Sequence, residues 1–98
     1  MKNVCWSIKA SKELNEVCDY WALHNKSNVY SEKILDETFR IINLVRSQSY
    51  IGEESKIKEI RRVLILENFS LFYKVMNDEI KVLSFFDNRR DPGNLKIN

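Results

Sequence analysis

Apolar residues recur along this chain at two different periods, and the change of period divides it. Val4, Trp6 and Ile8 alternate with Cys5, Ser7 and Lys9, which predicts a short half-buried strand. Leu14, Val17, Cys18, Trp21 and Ala22 then return at helical spacing through about residue 25. Ser11 is the expected N-cap of that helix, with Glu13 in its first turn. The polar run Asn25-Lys26-Ser27-Asn28 interrupts the pattern, and Ile34, Leu35, Thr38, Phe39, Ile42 and Val45 form one face of a second, longer helix. Two amphipathic helices with so short a link predict an antiparallel helical hairpin.

Ser47 to Glu59 is polar, a loop whose one permissive backbone position is Gly52. The period then becomes two. Arg62, Leu64 and Leu66 alternate with Arg61, Val63 and Ile65, and Asn68 marks a reversal. Phe69, Leu71, Tyr73 and Val75 alternate with Ser70, Phe72, Lys74 and Met76; Asn77-Asp78 is a two-residue hairpin signal. Ile80, Val82 and Ser84 alternate with Lys81, Leu83 and Phe85 in the last strand. The order β-α-α-β-β-β predicts an α+β fold, a small antiparallel sheet of about four strands with the helical hairpin on one face. Both faces of these strands are fairly apolar, so the second face calls for a cover or a partner.

Composition adds limits rather than a function. Ninety-eight residues make a single domain, 1–98, and only two glycines and one proline argue against disorder. A net charge of +2, from 16 basic and 14 acidic residues, is too balanced for a general nucleic-acid footprint. No apolar run is long enough for a transmembrane helix, and the N-terminus lacks a signal-peptide pattern, so a cytoplasmic, non-membrane protein is expected. Cys5 and Cys18 read as small buried hydrophobes. With His24 the only histidine, no metal site and no cofactor are expected, and His24 suits the C-terminal end of the first helix, whose negative dipole favours a cation. Trp6 and Trp21 read as core anchors.

The chemistry concentrates in arginines. Arg61-Arg62 opens the second strand, and Phe85-Phe86-Asp87-Asn88-Arg89-Arg90-Asp91-Pro92 closes the last. Guanidinium forks suit carboxylates and phosphates. Arg61, Arg62, Arg89 and Arg90 are therefore the candidate sites for an acidic or anionic partner, with Asp87 and Asp91 as competing internal partners.

Taken in order, these segments resemble the RelE/ParE superfamily of bacterial type II toxin–antitoxin toxins. The likeness rests on Trp6-Ser7-Ile8-Lys9-Ala10 with Leu14 and Tyr20-Trp21, the loop with Gly52, Arg61-Arg62-Val63-Leu64-Ile65, Phe69-Ser70-Leu71-Phe72-Tyr73-Lys74-Val75, and Ile80 to Pro92. The resemblance implies a growth-inhibiting toxin of a plasmid-stabilisation type of system, held inactive by a cognate antitoxin laid along an arginine-rimmed groove. It also implies one of two targets. ParE-like members bind and poison DNA gyrase; RelE-like members cut mRNA on the ribosome.

Cleavage through a neighbouring 2′-hydroxyl needs a proton acceptor, a proton donor and cations for the phosphorane charge. The four arginines supply the cations. Ser70 stands where RelE-like nucleases usually carry a basic residue, and neither Tyr nor His follows Tyr73. Glu53, Glu54 and Glu59 are the remaining proton-transfer candidates, and Tyr73 reads as a packing aromatic. The balance favours ParE-like binding over cutting.

Overall fold

A computed structural model describes residues 1–89 of the chain, so Arg90, Asp91 and Pro92 lie outside the described residues. Strand β1 spans Asn3–Trp6 and is followed by helix α1 (Ile8–Asn25) and helix α2 (Val29–Ser47). The two-residue β2 (Glu53–Glu54) precedes β3 (Ile60–Ile65), β4 (Phe69–Val75) and β5 (Glu79–Asp87). The α+β arrangement expected from the change of period is present.

Helix α1 starts one turn earlier than Ser11 would place it. Ser7, in an extended conformation, accepts a hydrogen bond from the Ala10 amide at 3.0 Å and so satisfies one of the free N–H groups of the first turn. Ile8, expected in the strand, becomes a helical residue with 89% of its surface exposed. The helix ends at Lys26, whose left-handed backbone (φ 53°) turns the chain, with the Ser27 amide donating to Ala22 O. α2 buries Ser31, Ile34, Thr38, Ile42 and Val45, while Phe39 stays on the surface. Ser31 Oγ donates to Cys18 O at 2.6 Å and ties the helices together. Of the two cysteines read as buried, Cys18 is half-buried and Cys5 is exposed on β1.

The strand order is β1-β5-β4-β3-β2. β3, β4 and β5 form the antiparallel meander, whereas β1 lies parallel to β5. The expected all-antiparallel sheet of about four strands is thus a mixed sheet of five. Tight hairpin turns force neighbours to run antiparallel, but β1 reaches β5 only after both helices and the meander, and no turn dictates its direction. The helices cover one face of the sheet, where Ile34, Val45, Ile65, Phe69, Leu71, Tyr73, Ile80, Val82 and Phe85 are buried together. Burial of each large apolar side chain contributes about 1.5–3 kcal/mol.

Turn geometry departs from the sequence signals. In the β3–β4 reversal Leu66 (φ 52°) and Glu67 (φ 63°) take the left-handed conformation, and the Asn68 amide closes the turn on Ile65 O at 3.2 Å. Those two positive φ values match a type I′ turn, which asparagine and glycine adopt more readily. Asn77-Asp78 does form the two-residue β4–β5 loop, with neither residue at positive φ.

One irregularity decides what the last strand presents. Phe72 pairs with Ser84 and Tyr73 with Val82, so Leu83 has no partner on β4 and forms a β-bulge. Beyond it the alternation changes phase. Phe85 and Asp87 share the helix-covered face with Ile80 and Val82, because they pair with Leu71 and Phe69. Past the end of β1 the edge of β5 is bordered by α1, and Glu13 takes the place of a strand neighbour. Its carboxylate accepts from the Phe85 amide at 3.2 Å and Ser84 Oγ at 3.1 Å, and it pairs with Lys9 at 3.3 Å.

Candidate functional sites at the two ends of the sheet

Arg61 and Arg62 are adjacent on β3 and therefore point to opposite faces of the sheet. Arg61, opposite Tyr73, lies on the helix-covered side. Its Nη1 donates to Gly52 O at 2.7 Å and Tyr50 O at 3.3 Å, its guanidinium lies 5.0 Å from the Tyr50 ring, and Glu54 pairs with it at 3.6 Å. Arg62, opposite Phe72, lies on the outer face, where Glu53 Oε1 accepts from both Nε (2.8 Å) and Nη2. Lys74 pairs with Glu59 at 3.6 Å. The three acidic residues considered for proton transfer therefore each sit on a cation. The β2–β3 register makes two of those pairs, setting Glu53 opposite Arg62 and Glu54 opposite Arg61. These carboxylates are largely exposed, and such surface pairs contribute only about 0–1 kcal/mol each. A partner with better-placed carboxylates would exchange with them. Beside Arg61, a shallow cavity of about 540 Å³ is lined by Tyr50, Ile57, Lys58, Lys74 and Val75 among others.

A buried clasp holds this end together. Tyr73 is fully buried; its hydroxyl donates to Ser49 O at 2.8 Å and accepts from the Gly52 amide at 3.0 Å. Burial pushes the phenol above its ordinary pKa, against the opposing pull of the Gly52 amide and the Arg61 charge. Gly52 is required by proximity, since a Cβ there would lie 2.7 Å from Tyr73 Oη and 2.9 Å from Arg62 O. The clasp fixes the carbonyl on which Arg61 rests. Gly52 therefore does more than permit a loop conformation, and Tyr73 does more than pack.

The other end of the sheet is built differently. Arg89 folds back over the helix side, with its guanidinium carbon 4.5 Å from the Trp21 ring, 5.1 Å from Phe69 and 5.7 Å from Tyr30. Its Nη2 donates to Tyr30 Oη at 3.0 Å and its Nε to Asp87 Oδ1 at 3.3 Å. Burial works against the guanidinium charge, but the hydrogen bonds to Tyr30 and Asp87, with the Asp87 charge, outweigh it and raise the pKa above its ordinary value. Asp87 is almost wholly buried, and Trp21 Nε1 donates to its second oxygen at 2.9 Å. His24 lies edge-on to Trp21 at 5.3 Å and stacks on Tyr20.

The described arginines do not line a single groove. Arg61 and Arg62 flank one end of β3 on opposite faces. Arg89 follows Asp87, which pairs through Phe69 with the far end of β3 at Ile65. The β5 bulge puts Asp87 on the helix side, and Arg89 follows it there. Ser70, at the position discussed for nucleases, is fully buried and donates to Asn88 Oδ1 at 3.0 Å. Among the described residues, no helix is long and apolar enough to cross a membrane.

No protein-family model and no curated protein sequence matches this chain. Solved structures do. A chain of the chromosomal ParDE TA system from P. aeruginosa superposes with a TM-score of 0.75 at 18% identity, over 89% of this chain and 96% of that one. The YoeB dimer from Staphylococcus aureus gives 0.64 at 14% identity, over 87% and 94%. YafQ from E. coli strain BL21(DE3) gives 0.59 at 11% identity, over 91% and 96%. These neighbours are RelE/ParE-superfamily type II toxins, and the chain has their fold, as its ordered segments implied.

Proposed function

We propose that this protein is the cytoplasmic toxin of a type II toxin–antitoxin pair, and that it acts in the ParE-like way, binding DNA gyrase rather than cutting RNA. The observation that carries this reading is the superposition on the ParDE chain, with a TM-score of 0.75 against 0.64 and 0.59 for YoeB and YafQ. The state of two side chains on β4 supports it. Tyr73 has both hydroxyl roles engaged in the buried clasp, and Ser70 is buried where a cation would be needed. A cognate antitoxin would present carboxylates to Arg61 and Arg62 in exchange for Glu54 and Glu53. Arg90 belongs to the same anion-binding proposal.

Two assays test this. Induction of the chain alone is expected to arrest growth, with relief on co-expression of an acidic protein from the adjacent gene. Unimpaired growth would mean a fold relative that is no longer a toxin. Purified protein is expected to inhibit supercoiling by gyrase, and unaffected supercoiling rejects the target.

The Arg62–Glu53 pair on the outer face supports a second reading, a ribosome-dependent mRNA endoribonuclease with a guanidinium beside a carboxylate base. Codon-phased cleavage in primer extension, lost with Arg62→Ala, would replace the first reading with this one.

A further inference from the structure

We propose that Trp21, Tyr30, Phe69 and Asp87 form a built guanidinium receptor that the chain fills with its own Arg89, latching the exit of β5 onto the helical hairpin. The parts come from four elements: Trp21 from α1, Tyr30 from α2, Phe69 from β4 and Asp87 from β5. All three ring centroids lie within 6 Å of the guanidinium carbon, the range over which a cation is attracted to an aromatic face. The rings support one another, with Trp21 edge-on to Tyr30 at 5.5 Å and Tyr30 tilted on Phe69 at 6.3 Å.

The carboxylate is oriented without the Arg89 side chain. Trp21 Nε1 holds Oδ2 at 2.9 Å and the Arg89 backbone amide reaches Oδ1 at 3.0 Å, which aims Oδ1 at the incoming Nε. A guanidinium can lie against rings while its edge donates in two directions, here to Tyr30 Oη and Asp87 Oδ1. An ammonium has no flat face and satisfies only part of this arrangement. Arg89 remains 39% exposed, so the receptor opens to solvent through its occupant. Arg89 therefore acts as a latch between the sheet and both helices, and its cage is a site for a guanidinium-type ligand whenever it is withdrawn. Nothing in this inference depends on the toxin reading.

The test is chemical rescue of the full chain. Arg89→Ala is expected to melt several degrees below the parent, as the loss of about 1 kcal/mol or more does in a domain of this size. Millimolar ethylguanidine should then raise the melting temperature of the variant but not of the parent, and ethylamine should do so less. The indole N–H resonance of Trp21, assigned with Trp21→Phe, should return toward its parental position. Equal response of variant and parent, or equal rescue by ethylamine, overturns the receptor. Should Arg89→Ala fail to fold, the parent itself decides. Its Arg89 Nε–H should be ring-current shifted and slow to exchange, and Asp87→Asn should accelerate that exchange. A freely averaging Arg89 side chain overturns the latch.

Discussion

The two ends of the sheet each carry arginine against aromatic and acidic side chains, yet they hold it in opposite ways. At the start of β3, Arg61 and Arg62 rest on exposed glutamates and a carbonyl, and only the clasp beneath them is buried. At the end of β5, Arg89 rests on a buried aspartate inside three rings. The difference follows from burial of the anion. An exposed carboxylate is well solvated and loses little when its cation leaves, whereas a buried one depends on its donors. The first end is suited to exchanging partners and the second to fixing structure.

The strongest way to break this contrast is at Asp87. Asp87→Ala strands the Trp21 indole N–H and releases Arg89, and is expected to cost about 2–4 kcal/mol in a denaturant melt. A loss no greater than that of Glu53→Ala would erase the distinction. Next comes the clasp, where Gly52→Ala drives a methyl group into Tyr73 Oη. Overpacking at such a contact costs about 1–3 kcal/mol, and it should also alter binding at Arg61, because the carbonyl of Gly52 moves with it.

The clasp also predicts a pH dependence. Its folded pKa is raised above the unfolded value by burial, so its contribution to stability is fully present below the unfolded tyrosine pKa of about 10 and is lost as pH rises through the folded value. Alkaline melts should show this loss in the parent, and Tyr73→Phe should flatten it while lowering stability at neutral pH. The smallest expected effect is the surface pair. A double-mutant cycle between Arg62 and Glu53 should give a coupling of about 0–1 kcal/mol that fades with salt. A larger, salt-resistant coupling would make both ends structural.

Much of the fold was legible because period alone separates helix from strand here. The helical hairpin and the three successive strands that follow it come from apolar spacing and short polar links. The N-cap was misplaced because Ser7 and Ser11 lie one turn apart and both suit a helix start; the cap went to Ser7, which leaves Ile8 exposed. The candidate site was legible only as residue types. Contacts such as Tyr73 to Gly52, or Trp21 to Asp87, join residues far apart in sequence, and no local pattern announces them. The acidic partners of Arg61 and Arg62 were nearby in sequence, but their roles depend on the β2–β3 register. The bulge was hidden for a different reason. Leu83 is apolar and continues a regular alternation, so only the buried Asp87 two positions after Phe85 betrays the change of phase.

That single unpaired leucine also bears on how this chain is aligned with others. Upstream of Leu83, counting residues in twos identifies side chains on the same face; downstream, the same count is off by one. A relative with one residue fewer at this point keeps the pairings of Phe85 with Leu71 and Asp87 with Phe69, but reaches them one residue sooner in its own count. An ungapped alignment across the bulge would then equate a latch with a surface contact.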